Sequence, residues 1–126
     1  MPRPDAARLV DILEAAHHVR QFLESTDSFD DFVNDEKSQS SVLYQLAIIG
    51  ESANHLSPEL KEKYPEVEWD DIRAFRNYVI HEYFGVALHI VWKAAMVETP
   101  QLREQIERIF KTEFPDLLEF LPDTSD

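Results

Sequence analysis

Apolar positions recur three and four residues apart along most of the chain, the spacing of one face of an α-helix. Leu9, Ile12/Leu13, Ala16, Val19 and Leu23 predict a first helix over residues 6–24. Ser28, with Asp31 three residues on, has the form of a capping box that opens a short helix through Phe29, Phe32 and Val33. A long second helix carries Val42/Leu43, Leu46/Ala47, Ile49/Gly50, Ala53 and Leu56. It ends before Ser57-Pro58, where serine can cap and proline can take the first position of another short turn. Prolines mark the borders, because a helix interior excludes a residue that lacks the N–H and clashes with the preceding turn. Residues 5–57 and 66–99 contain none.

Tyr64-Pro65-Glu66-Val67-Glu68-Trp69 is a connector. Asp70 suits an N-cap and Gly85 a C′ residue, bracketing a helix of about 14 residues, or roughly 20 Å. Ile72, Phe75/Arg76, Val79/Ile80 and Tyr83 form one stripe on it. Residues 86–97 make a further helix, and Thr99-Pro100 starts a last one running to about Phe110. The pattern gives an all-α, up-and-down bundle of four to five main helices. It divides the chain into a helical domain over 1–111 and an acidic C-terminal tail over 112–126, whose apolar residues leave it free to dock or to fray.

Composition narrows this. At 126 residues the chain suits one domain with a real core, and two glycines are too few for a sandwich or barrel. Zero cysteines remove disulfides, thiolate nucleophiles and zinc ribbons. No apolar run follows the N-terminus as a secretory signal would require, and none approaches the roughly 20 residues that span a bilayer. The expectation is a soluble, cytoplasmic protein. Twelve Lys and Arg stand against 25 Asp and Glu, a net charge of −13, which argues against non-specific nucleic-acid binding. The distribution is uneven. Residues 112–126 hold acids and no bases, whereas from Trp69 to Lys93 Asp70, Asp71 and Glu82 are balanced by Arg73, Arg76 and Lys93.

Candidate chemistry is sparse elsewhere. None of the histidine pairs among His17, His18, His55, His81 and His89 has the one-face spacing and nearby acid of a metal site. His81-Glu82 begins like a zincin motif, but Gly85 occupies the second histidine position. No serine lies in a Gly-x-Ser-x-Gly context, and two glycines cannot build a phosphate-cradling loop. The paired acids Asp30/Asp31, Asp35/Glu36 and Asp70/Asp71 suit solvated faces and helix starts.

What remains is Arg76-Asn77-Tyr78-Val79-Ile80-His81-Glu82-Tyr83. Arg, four residues, His, one residue, Tyr resembles the signature of the HEPN superfamily (higher eukaryotes and prokaryotes nucleotide-binding). In particular it is similar to the HepT-like toxins paired with minimal nucleotidyltransferase antitoxins. Asp35-Glu36-Lys37, Gln39-Ser40, Ile48-Ile49-Gly50-Glu51, Leu56-Ser57-Pro58-Glu59, Tyr64-Pro65-Glu66, Phe84-Gly85-Val86 and Ile90-Val91-Trp92 extend the resemblance over about residues 5–110.

The resemblance implies a metal-independent endoribonuclease without a cofactor, a homodimer whose motif helices line a shared cleft. It makes Arg76 and His81 catalytic, and RNA and a nucleotidyltransferase antitoxin the partners, with no membrane. It also makes Tyr83 the residue on which the antitoxin places AMP. The residue chemistry is compatible. Histidine moves protons near neutral pH, an arginine fork grips phosphate oxygens, and Asn77 can orient the imidazole or bond the phosphate. On an unbroken helix residues 76 and 81 stand about 140° and about 7.5 Å apart, so they do not share a face. A two-fold pair of helices, or a distortion near Tyr83-Phe84-Gly85, eases this. Tyr83 would share the angular position of Arg76, about 10.5 Å along the axis.

Structural roles compete with these. Arg76 can serve as an ion-pair partner of Glu51 or Asp71, and His81 as a hydrogen-bonded structural residue. Tyr44, Ala47, Gly50, Glu51 and Asn54 suit a helix–helix or dimer contact, with Gly50 allowing close approach, and Trp69 and Trp92 suit core or interface positions. Two functions from different classes follow: a ribonuclease toxin, or a non-catalytic helical partner that binds and assists a nucleotidyltransferase.

Overall fold

The structure, a computed structural model, describes residues 4–123. The start of the chain, on which the expectation about a secretory signal rests, and the last three residues of the acidic tail lie outside them. The described chain folds as helices α1 (Asp5–Leu23), α2 (Phe29–Val33), α3 (Glu36–Asn54), α4 (Pro58–Lys63), α5 (Trp69–His81), α6 (Leu88–Lys93) and α7 (Thr99–Glu113). It is an all-α bundle. Helix α1 packs most extensively on α3 and then on α7, while α5 lies against the other flank of α3.

The stripe on α1 behaves as its spacing predicts, with Leu9, Ile12, Leu13, Ala16, Val19 and Leu23 all buried. Phe32, Val42, Val91, Ile106 and Phe110 meet them in one core. Short polar side chains close the breaks between helices. Ser28 Oγ accepts the Asp31 N–H at 3.2 Å to start α2. Asp35 starts α3, accepting from the N–H and hydroxyl of Ser38 at 3.0 and 2.6 Å, and those two bonds hold its carboxyl below the usual range. Ser57 accepts from Leu60 N–H to open α4 and gives its own N–H and hydroxyl to Asp5, which ties α4 to the start of α1.

Two sequence expectations need correction. Helix α5 is not bracketed by Asp70 and Gly85: it begins at Trp69, after Glu68, and ends at His81. Trp69 is anchored by its indole N–H, which donates to the Tyr64 carbonyl at 3.0 Å, and the first turn starts two residues earlier. Asp70 and Asp71 fall inside that turn, where their charge opposes the positive end of the helix dipole. The second correction concerns Pro100, which does not start a new helix. Residues 88–113 form one continuous helical run, because residues 94–98 widen into a π-turn. Thr99 gives both its N–H and its hydroxyl, the latter at 2.8 Å, to the Ala94 carbonyl. Bonds to five residues back shift the register by one, which lets the run absorb a residue without an N–H.

The described part of the tail docks: a 3₁₀ segment at Pro115–Phe120 leaves Phe114, Leu117 and Leu121 packed on the core. At its root Tyr64 donates to Glu113 Oε2 at 2.6 Å, and Lys63 reaches Oε1 of the same carboxylate at 3.1 Å. These partners lower the Glu113 carboxyl below its ordinary value, and Glu113 pushes the Tyr64 phenol up to about 12. A raised phenol contributes stability that is complete below the unfolded phenol's ionisation near pH 10 and fades as the pH rises to about 12. A lowered carboxyl contributes stability present above its unfolded value and lost on acidification. Unfolding midpoints measured across pH 9–12 will therefore fall in the wild type, and more shallowly in Tyr64→Phe. Parallel curves would exclude this contact as the cause.

Candidate active site

Helix α5 is amphipathic in an unequal way. Val79 is its one fully buried residue, and Ile72 and Phe75 are partly buried against the core. Ile80, expected on the same stripe, is half-exposed. A cleft of about 550 Å³ opens beside Ile72 and Phe75 and is closed on other sides by Leu46 and Ile49 of α3 and by α6 and α7. Asn77 and His81 do not line it. They stand on the opposite flank of α5, so the candidate chemistry faces away from that cleft.

Arg76 sits where α5 crosses α3. A Cβ on Gly50 would lie 2.3 Å from Arg76 Cβ and 2.7 Å from its Cγ, so nothing larger than hydrogen fits between the helices there. This close approach carries the guanidinium to Glu51, whose Oε2 accepts from Nη2 at 2.5 Å. Of the two ion-pair partners open from sequence, Glu51 is the one engaged. Nη1 donates to Asn77 Oδ1 at 3.0 Å, and Nε is buried without a partner among the described residues. The arginine stem is thus packed and its fork held on two sides, while about a quarter of the side chain stays open. Glu51 Oε1 also lies 3.3 Å from His55 Nδ1, at the end of α3.

His81 is the last residue of α5 and is exposed. Asn77, one turn before it, spends its carbonyl oxygen on Arg76 and not on the imidazole. The backbone stays α-helical through His81 and leaves that conformation only at Glu82 (φ −117°, ψ 25°). The distortion that could have brought Arg76 and His81 onto one face therefore comes one residue too late. Within one chain the two groups keep the angular separation of an ordinary helix.

The same break corrects the placement of Tyr83. It does not continue the helix above Arg76 but lies in a 3₁₀ turn, Tyr83–Gly85, with 41% of its surface open. Its ring stands edge-on to Phe84. The turn is pinned from below, where Tyr78 Oη accepts the Ala87 N–H at 2.7 Å and the Tyr78 carbonyl accepts the Glu82 N–H at 2.9 Å. Sequence reasoning missed that role for Tyr78, since nothing local marks a tyrosine as the partner of an amide nine residues on. Tyr44 is exposed on α3, while Trp92 packs against Phe32 at 5.3 Å as a core aromatic. Among the described residues no three His, Asp or Glu side chains are grouped to hold a metal ion, and no helix is long and apolar enough to cross a membrane.

A family model described as Ribonuclease HepT-like matches residues 12–109. A Thermococcus cleftensis protein named "Probable ribonuclease HepT" is 33% identical over 111 residues, covering 88% of this chain and all of its own. A Methanocaldococcus jannaschii protein whose name assigns it provisionally as an RNase is 34% identical over 101 residues, covering 80% and 92% of the two chains. One from Caldanaerobacter subterraneus subsp. tengcongensis, provisionally named in the same way, is 40% identical over 86 residues, 68% of this chain and 77% of its own. No solved structure gives a significant match.

The crossing at Gly50 generates a direct test. Gly50→Ala must push α5 away from α3 or force Arg76 out of its rotamer, at a cost of about 1–3 kcal/mol. Urea unfolding will show the loss, and the Arg76 side-chain NMR signal will move with it. An unchanged unfolding midpoint would mean that the helices separate freely and that the crossing holds nothing.

Proposed function

The chain belongs to the ribonuclease HepT-like family, and from that premise we propose that it is the toxin of a toxin–antitoxin pair, a metal-independent endoribonuclease acting in the cytoplasm. The helical unit 1–111 carries the activity, and the acidic segment 112–126 takes no part in the chemistry. The observation that supports this reading best is the pairing of a clamped Arg76 with an exposed His81 at one end of the same helix.

Cleavage of RNA without a metal needs a base for the 2′-hydroxyl, an acid for the leaving 5′-oxygen and a cation for the crowded phosphate. In our reading His81 takes the 2′-hydroxyl proton as the 2′-oxygen attacks phosphorus. The P–O5′ bond breaks, the 5′-oxygen leaves as a hydroxyl with a proton returned to it, and a 2′,3′-cyclic phosphate remains. Arg76 supplies the charge on the non-bridging oxygens, with Asn77 supporting its fork. The angular separation within one chain favours a homodimer in which Arg76 of one protomer meets His81 of the other across a shared cleft.

Control follows from the turn beyond His81. Tyr83 is open enough to receive AMP from a nucleotidyltransferase antitoxin. The added phosphate would compete for Arg76 and the adenine would fill the cleft, an electrostatic and steric block with no change of fold. A second reading, a non-catalytic helical partner that assists a nucleotidyltransferase, draws on the net charge of −13, which suits a protein better than RNA.

The purified protein in chelator separates the two. The ribonuclease reading expects RNA cleavage that drops at least 100-fold in His81→Ala and in Arg76→Ala with folding intact. It expects the wild type to sediment as a dimer. Tyr83→Phe should still cleave but escape silencing by the co-expressed transferase with ATP, and mass spectrometry should place AMP on the Tyr83 peptide. No cleavage of any cellular RNA by the wild type would favour the second reading.

A further inference from the structure

Phe84 is the most exposed large apolar residue in the described chain, fully open to water. It lies three residues after His81, at the tip of the 3₁₀ turn that ends the catalytic helix. Its one ring neighbour is Tyr83, whose ring meets it at 5.3 Å with the planes 83° apart. An edge-on neighbour supports an aromatic ring without covering both its faces.

The turn that carries Phe84 is braced. Gly85 N–H donates to the Glu82 carbonyl at 2.7 Å, Glu82 N–H to the Tyr78 carbonyl, and Ala87 N–H to the Tyr78 hydroxyl. A ring held on such a turn has already lost much of the freedom that binding would remove. It is presented and not buried.

Charge decides what it is presented to. A ribonuclease normally draws most of its affinity from cations on the phosphates, yet this chain carries −13 and its catalytic stretch is charge-balanced. The one cation placed at the site, Arg76, is already paired with Glu51. Beyond what Arg76 offers the phosphate, affinity for RNA then depends on contacts that carry no charge. Stacking of an unpaired base on an aromatic ring is such a contact, and every base has a face to offer.

We propose that Phe84 is a stacking platform for an unpaired nucleobase of the RNA substrate, adjacent to the phosphate that is cleaved. The inference rests on the ribonuclease reading and adds a binding residue to it. It gives the enzyme a preference for single-stranded or looped RNA, tolerant of base identity because π-faces are common to all four bases. It also makes binding shallow in its dependence on salt, unlike that of a phosphate-binding basic groove.

The test uses the full-length protein and a single-stranded oligonucleotide made non-cleavable by 2′-O-methyl sugars, with binding read by fluorescence anisotropy. Phe84→Ala and Phe84→Leu should weaken binding about five- to a hundred-fold. Phe84→Trp should retain it. Scanning an abasic nucleotide along the strand should find one position that causes the same loss in the wild type and no further loss in Phe84→Ala. Phe84→Leu binding like the wild type would overturn the proposal, because apolarity and not stacking would then suffice. So would unchanged RNA binding in Phe84→Ala, whether or not that variant loses its dimeric sedimentation or its hold on a protein partner; in those cases the ring is a protein contact. A wild type that cleaves RNA while Phe84→Ala binds normally overturns this inference alone. A wild type that neither binds nor cleaves RNA overturns the ribonuclease reading, and this inference with it.

Discussion

The crossing of α3 and α5 at Gly50 is the constraint from which the site follows. Helices bearing ordinary side chains at their contact sit about 8–10 Å apart, and a glycine at the contact lets them approach more closely. Removing the side chain at residue 50 brings Arg76 against the α3 backbone, so its stem is packed and its fork reaches Glu51, the next residue on α3. A long, flexible side chain that would otherwise sample many rotamers is held in one. Such pre-organisation would favour the phosphate-binding role proposed for Arg76, since freedom lost beforehand is not lost again on binding.

The end of α5 is the second determinant. A helix running on to Gly85 would have placed Tyr83 above Arg76, about 10.5 Å along the axis. Stopping at His81 leaves the imidazole at the exposed tip of the helix and Tyr83 and Phe84 open to water. The turn beyond is tied back to the helix by the Tyr78 hydroxyl, which accepts the Ala87 amide proton. The candidate residues thus differ in kind: Arg76 is clamped, His81 is open, and the Tyr83–Phe84 pair is displayed on a braced turn.

The surface charge bears on how such a site can work. With acids outnumbering bases about two to one, long-range attraction cannot concentrate RNA at this surface. The balanced stretch around α5 limits the repulsion locally, and Glu51 gives the partly buried Arg76 a partner of opposite charge. Recognition is left to short-range contacts, which favours geometry over net charge in choosing a substrate.

Much was legible in the residues alone. The three-and-four spacing determined α1, α3 and the core-facing side of α5, because helical periodicity is a local property. Caps at Ser28 and Ser57 were equally legible, since a cap and its amide lie three residues apart. The Arg76–His81–Tyr83 series, and with it the family, could be read without any structure. The boundaries of α5 and the passage through Pro100 could not, for each was decided by a partner outside the local pattern. The Tyr64 carbonyl set where α5 begins, the Tyr78 hydroxyl helped set where it ends, and the π-turn held by Thr99 absorbed the proline. The same holds for Arg76. Sequence offered Glu51 and Asp71 equally, and only the meeting of two helices across a missing side chain decided for Glu51, because ion pairs form where packing puts them.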